Sequence, residues 1–360
     1  MLINNQQINN IAKDFAVYLN KLSSVRDHKL IKTFSDSLKN YIIFFSRIIP
    51  RAEQSGHVYD VRIQNQLNFE TDIYLVAALK LDTALPLSSR VKARDYFRKI
   101  VGKYLFRSQI LKRFYDKPRG YAGDYFMFEM MYDGKPLSDG IGVYFDYYVF
   151  YHSLVVSVMN RKERMKKILK NTLDRELKNN SLIKALNIGC GGARDVKELF
   201  DENVFSGNIA FTLMDQDEEG LSYAKSKLSV LKKKNVKFTF IRKNALEMMG
   251  FSKHSANEDY YDVIYTLGIV DYFLDNAFAR FIKHSYSMLK PGGKLIVAVC
   301  SNRSVECYTA LKWLCEWNFY YRGANSVRKL INEAIGGDVN VKISWEEKKQ
   351  VFFVVVTRML

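Results

Sequence analysis

The residues best suited to chemistry begin with the run ALNIGCGGA at 185–193, an apolar strand-like stretch that passes through glycines into a helical pattern. Gly189 and Gly191 remove side chains where the backbone must turn tightly and meet a ligand, and the helix start beyond them offers free N–H groups. Asp215 closes the next strand in FTLMDQD, with Gln216 beside it, and a carboxylate there can accept both hydroxyls of a ribose. Asn244 and Ala245, in IRKNALEM, follow a third strand, where an amide and the next backbone N–H can read an adenine edge. Leu267 and Gly268, in YTLGIVDY, end a fourth. Four successive strand ends bearing such groups predict one adenosine-containing ligand at one sheet edge. The loop GCGGAR departs from the GxGxxG spacing, so a dinucleotide fits it poorly.

The elements that must position these residues follow from periodicity. Apolar runs at 183–188, 209–215, 236–241, 261–266 and 294–299 read as strands, the last just after the KPGGK turn at 290–294. Helical patterns fall between them at 193–200, 218–232 and 276–289. Strands apolar on both faces and alternating with helices predict a parallel sheet covered on both sides. Helices at 304–320 and 325–334 then precede 339–345 and 350–357, which are close enough in sequence to pair as an antiparallel hairpin. The expected architecture is α/β: a Rossmann-like sheet of seven strands, five parallel plus a C-terminal antiparallel hairpin, with a helical N-terminal domain.

Before residue 180 the texture is helical. Residues 8–49, 58–82 and 87–115 repeat apolar positions at three- and four-residue spacing, with Ser88 and Ser89 as cap candidates. Residues 117–142 (KPRGYAGDY, YDGKP, SDGIG) predict an irregular, aromatic-rich loop region. Helical spacing returns at 144–180 and breaks at Asn179-Asn180-Ser181. The expected domains are therefore 1–180, helical and bearing the 117–142 loop, and 181–360, which binds the ligand.

The 360 residues are 48% apolar, enough to build cores and too apolar for a disordered chain. Four cysteines without a CxxC pair argue against a disulfide scaffold and against a metal site. The opening MLINNQQINN lacks a cationic stretch followed by an apolar block, which predicts a cytoplasmic address. No apolar run reaches the roughly 20 residues of a bilayer span, so no transmembrane segment is expected. The net charge is +17, of which residues 1–180 hold +12, concentrated at 90–119 and 161–170. Such a surface attracts nucleic acid, anionic lipid or an acidic small molecule, and also suits a solvated helix face.

Taken together, the glycine loop, Asp215, Asn244, the KPGGK turn and the terminal hairpin resemble the class I S-adenosylmethionine-dependent methyltransferases over about residues 183–360. Further stretches, KPRGYAGDYFMFEMMY (117–132), VMNRKERMKK (158–167), LNIGCGGARDV (186–196), FTLMDQDEEGL (211–221), LGIVDYFLD (267–275) and WLCEWNFYYR (313–322), narrow the likeness. They resemble the bacterial methyltransferases of hydroxypalmitic acid methyl ester (extracellular factor) biosynthesis, which esterify a 3-hydroxy fatty acid. The resemblance implies S-adenosylmethionine as cofactor and a small acidic or lipid-like acceptor. It also implies that Asn187, two residues before the first glycine, meets the methionyl ammonium; the family usually has a carboxylate there, and a neutral amide forgoes charge assistance.

A fatty carboxylate acceptor needs a cationic clamp and an apolar wall. Arg119, Arg161 and Arg322 are clamp candidates; Tyr121, Tyr125, Tyr144, Tyr147, Phe273, Trp313, Trp317 and Tyr321 are wall candidates. Tyr144, Tyr147, Trp313 and Trp317 sit at helical spacing, which favours packing. Tyr121 to Tyr125, with Asp124, suits a substrate lid. Tyr272 is expected to orient the acceptor, and Asp271 either to act as a base or to cap the following helix. Two alternatives stand beside this reading. One is RNA or protein methylation, motivated by the charge but less favoured because LGIVDYF lacks an Asn/Asp-Pro-Pro-aromatic tetrad. The other is a non-catalytic cofactor-binding interaction protein. Peripheral membrane contact is left open, and the oligomeric state is not legible in the sequence.

Overall fold

Proline, glycine and short polar side chains set where the helices of this chain begin and stop, and β-branched runs set the strands. The computed structural model describes residues 5–22, 28–54, 58–231, 233–248, 260–303, 305–337 and 339–359. Parts of two expected helices (23–27 and Ser304) and Lys232 lie outside them. The helices before the sheet are α1 Asn5–Leu22, α2 His28–Ala52, α3 Val61–Ala84, α4 Leu87–Leu105, α5 Gln109–Asp116, α6 Tyr125–Asp133, α7 Gly140–Tyr151 and α8 Ser153–Glu176. Asp60 caps α3 by accepting from the Arg62 N–H, and Ser108 caps α5 by accepting from Leu111. Ser88 and Ser89 lie within α4, whose N-cap is Pro86: a proline has no N–H to lose there and cannot extend α3. The expected loop at 117–142 contains α6, because Asp124 accepts from the Met127 N–H and nucleates a helix where glycines alone suggested turns.

The sheet follows as β1 Leu182–Ile188, α9 Arg194–Glu202, β2 Asn208–Asp215, α10 Glu218–Ser229, β3 Val236–Arg242, α11 Ala245–Met248, β4 Tyr261–Leu267, a 3-10 turn Ile269–Tyr272, α12 Asp275–Ser287 and β5 Leu289–Cys300. Then come α13 Val305–Cys315, α14 Ala324–Ile335, β6 Val341–Trp345 and β7 Val351–Thr357. The strand order is β3-β2-β1-β4-β5-β7-β6, with β1 to β5 parallel and β7 antiparallel to both neighbours. This is the expected seven-stranded arrangement. The Lys290–Lys294 turn differs from expectation in lying inside β5, where the pairing with β4 shifts register between Tyr261 and Val263.

Two compact units result. One holds residues 1–123, 130–155 and 305–318; the other holds 124–129, 156–304 and 319–360. The division falls within α8, and the later turns of that helix are tied to the sheet unit by ion pairs. Lys162 and Lys166 of α8, both buried, pair with Glu198 of α9, and Lys166 also pairs with Glu202. Partial burial pushes the Glu198 carboxyl up, but hydrogen bonds from Lys162, Lys166 and Arg194 outweigh it and bring its pKa to about 2. The helix α13 belongs to the helical unit because its indole is buried there: Trp313 packs against Phe34, Tyr74 and Phe97, and its Nε1–H donates to Asp82 at 3.2 Å. Asp82 is in turn paired with Arg94.

Among the described residues no helix is long and apolar enough to cross a membrane, and no group of three His, Cys, Asp or Glu could hold a metal ion.

Candidate functional site

Parallel strands leave their carboxyl ends on one edge, and here those ends are stitched together by backbone bonds. Beyond β1 the chain doubles back at Gly189, whose φ of 72° a side chain rarely adopts, and the Gly189 and Cys190 N–H groups donate to the Met214 carbonyl of β2 at 2.8 and 3.1 Å. Gly191 has a φ of 50° and donates its N–H to Asp215 Oδ2 at 2.7 Å. The other carboxylate oxygen accepts from Asp217 at 2.9 Å. Burial pushes the Asp215 carboxyl above its usual range, while the N–H groups of Asp217 and Gly191 oppose that rise.

Gln216 and Asn244 meet directly: the Asn244 amide donates to Gln216 Oε1 at 2.8 Å, and Asn244 Oδ1 accepts from Leu246. Ala245 beside them is buried. At the end of β4, Leu267 leads into Gly268, with φ 111°, and Ile269 of the following turn lies 3.2 Å from where a Gly189 Cβ would stand. The loops after β1 and β4 are therefore neighbours, and β1, β2, β3 and β4 deliver their ends to one edge.

Asn187 shows what the edge lacks. Its side chain is 2% exposed, Nδ2 donates to the Tyr265 hydroxyl at 2.8 Å, and Oδ1 is buried with no hydrogen-bond partner among the described residues. A buried acceptor without a donor is costly, and a ligand donor would remove the cost.

The acceptor-side residues separate. Arg322 is not available as a clamp: its buried guanidinium donates to Asp275 and to the carbonyls of Val270, Tyr320 and Phe273. Asp271 does not cap the next helix, whose N-cap is Leu274; it is 1% exposed and its Oδ1 accepts from the Cys300 N–H at 2.8 Å. Burial pushes its carboxyl up, the Cys300 N–H opposing. Tyr272 is 36% exposed, with its ring beside Phe319, and Tyr321 is half-buried. Asp124 caps α6, and Tyr125 is packed instead of forming a lid: it lies against Gly191 and Gly220, meets the Tyr223 ring at a tilt and donates its hydroxyl to Glu219 at 2.8 Å. Arg119 and Tyr121 fall within the helical unit, as do Tyr144, Tyr147, Trp313 and Trp317. Phe273 is a core residue beside Phe281.

Arg161, another of the clamp candidates, lies at the end of β4. It is 4% exposed, its guanidinium lies against Gly268 so closely that a Cβ there would stand 2.5 Å from Nη1, and it rests over the Phe128 ring. Sequence reasoning undervalued it because it sits in a basic run. Tyr265 and Asp195 are not among the sequence-based candidates; Tyr265 sits at the register position facing Asn187, which the sequence alone does not give.

Replacing Asp215 with alanine removes the acceptor for two loop N–H groups. The Asp215→Ala variant is expected to bind S-adenosylhomocysteine more weakly by about 1.5–3 kcal/mol, the range for hydrogen bonds to a charged group, as measured by calorimetry. Unchanged affinity would mean that the pocket lies elsewhere.

Residues 179–352 match the family described as Methyltransferase domain. No curated protein matches the chain in sequence. Among solved structures, a possible exported protein from Bordetella parapertussis is 14% identical, with 91% of this chain and 97% of that chain covered at a TM-score of 0.53, a likeness of fold. Magnesium protoporphyrin IX methyltransferase from Synechocystis PCC 6803, with bound S-adenosylmethionine, is 14% identical over 57% of this chain and 83% of that one, TM-score 0.40. N-methyltransferase NodS from Bradyrhizobium japonicum WM9, in complex with S-adenosylhomocysteine, is 15% identical over 58% and 97%, TM-score 0.38.

Proposed function

We propose, from the premise that residues 179–352 form a methyltransferase domain, that the protein uses S-adenosylmethionine to methylate the carboxylate oxygen of a small acidic acceptor, in particular a fatty or hydroxy fatty acid. The residues present fit the cofactor. Two glycines at positive φ keep the loop after β1 open to a ligand, and Asn187 Oδ1 lacks a donor that an ammonium would supply. Gln216 and Asn244 form an amide pair suited to the adenosine end. When bound, the cofactor supplies an already activated methyl group. What remains for this chain is to hold an acceptor oxygen in line at about 3 Å.

Arg161 carries the carboxylate reading. A carboxylic acid is ionised at pH 7, so it asks for a cation rather than a base. A guanidinium buried against Gly268, at the end of β4, meets that need. Asp271, expected either as a base for a hydroxyl or amine or as a helix cap, accepts the Cys300 N–H at Oδ1 and is not required for an acceptor that is already ionised. Tyr272, exposed at the end of the same turn, orients the acceptor in this scheme.

Incubation with labelled S-adenosylmethionine and hydroxy fatty acids is expected to give a base-labile methyl ester. The Arg161→Met variant should lose about 10–100-fold in rate on the carboxylate, as expected when a charged hydrogen bond worth about 1.5–3 kcal/mol is removed, with affinity for S-adenosylhomocysteine kept. Transfer only to amines, to RNA or to protein would overturn the carboxylate reading.

A further inference from the structure

We infer that Asp195 and Tyr265 are positioning residues that aim the Asn187 carbonyl oxygen at the ammonium of the bound donor's amino-acid end and lend it charge that a neutral amide lacks. The inference rests on the reading of this domain as an S-adenosylmethionine-dependent methyltransferase.

The three side chains form one directed chain of hydrogen bonds. Asn187 of β1 and Tyr265 of β4 are register partners on adjacent parallel strands. The Tyr265 hydroxyl donates to Asp195 Oδ2, in the first turn of α9, at 2.6 Å. A phenol has a single proton, so once it is given to Asp195 the oxygen can only accept. Asn187 must therefore turn its Nδ2–H toward Tyr265, at 2.8 Å, and its Oδ1 is forced to the other side, where no donor among the described residues meets it. Free rotation of the amide would let either end face the ligand; the Asp195 carboxylate removes that freedom. All three groups are buried, with Tyr265 at 0%, Asn187 at 2% and Asp195 at 5% exposure, so each bond acts in a low-dielectric setting that polarises its neighbour. The negative charge that would strengthen an ammonium contact thus stands two hydrogen bonds behind the atom that makes it.

The test compares S-adenosylhomocysteine with its analogue lacking the α-amino group, by calorimetry on the full chain. The wild type should prefer the amine-bearing ligand. Tyr265→Phe, which keeps the ring, and Asp195→Asn, which keeps the shape, should each reduce that preference by about tenfold, as expected for loss of a charge-assisted contact, while affinity for the analogue stays within about twofold. Circular dichroism and thermal melts of both variants confirm the fold. Adding Asn187→Asp to the Asp195→Asn background returns a carboxylate to the contact itself and should restore the preference. Equal losses for both ligands, an unchanged preference in Asp195→Asn, or no rescue by Asn187→Asp would overturn the inference. So would a wild type that binds both ligands alike, as it would if a water occupied Oδ1. A wild type that binds neither ligand overturns the donor reading itself, and this inference with it.

Discussion

Gly189→Val is expected to leave no measurable binding of S-adenosylhomocysteine in calorimetry, even at millimolar ligand. Two costs combine at this position. The φ of 72° is left-handed, where an ordinary side chain costs about 1–2 kcal/mol and a β-branched one more. A Cβ built there stands 3.2 Å from Ile269 Cδ1, and the valine methyls reach further toward the loop after β4. Relief requires Ile269 to give way or the loop to shift, and a shift of the loop strains the Gly189 N–H bond to Met214 that holds it over β2. Gly336→Ala provides the control, because its φ of 87° imposes strain but nothing lies within 4 Å of the added Cβ. That variant should melt slightly earlier and bind normally. Retention of affinity within about threefold in Gly189→Val would remove the glycine loop from the site.

Trp313→Ala is expected to destabilise the helical unit by about 3–5 kcal/mol, the usual cost of truncating a buried large aromatic. The indole is fully buried, with ring centroids of Phe34 at 5.3 Å and Phe97 at 5.6 Å, so its loss opens a cavity among rings that cannot collapse into it. Asp82 also loses the Nε1–H donor, although it keeps Arg94. Trp313→Phe should cost less, since it retains most of the volume. With two compact units the chain need not unfold in one step, so the readout is a shift of one urea transition, followed by near-UV circular dichroism. A loss below about 1 kcal/mol would mean that α13 does not contribute to this core.

The sheet was legible because its pattern is local. Apolar runs such as FTLMD and VIYTL, bounded by glycine and aspartate, could only be buried strands, and two of them close together at the C-terminus could pair back on each other. The position of the glycine loop was legible for the same reason. The unit boundary was not. Residues 156–180 read as a continuation of the N-terminal helices, and distant partners assign them to the sheet, among them Glu198 for Lys162 and Lys166, Lys294 for Glu176 and Glu346 for Asn160. The segment 305–318 lies deep in the second half of the chain, yet Trp313 is buried among aromatics contributed by residues more than 200 positions earlier.

Polar side chains at the site divide along the same line. Sequence supplied Asn187, Asp215, Asn244 and Arg322 as groups able to hydrogen-bond, together with the strand ends that hold them. It did not say which were already satisfied. Arg322 is consumed by Asp275 and three carbonyls, whereas Asn187 keeps one acceptor open. Residue type and spacing therefore determined the fold class and the edge at which chemistry is placed. Tertiary structure alone decided which groups at that edge remain available to a ligand, because a donor or acceptor is spent or spared by partners as distant as Asp195 and Tyr265, 70 residues apart in the chain.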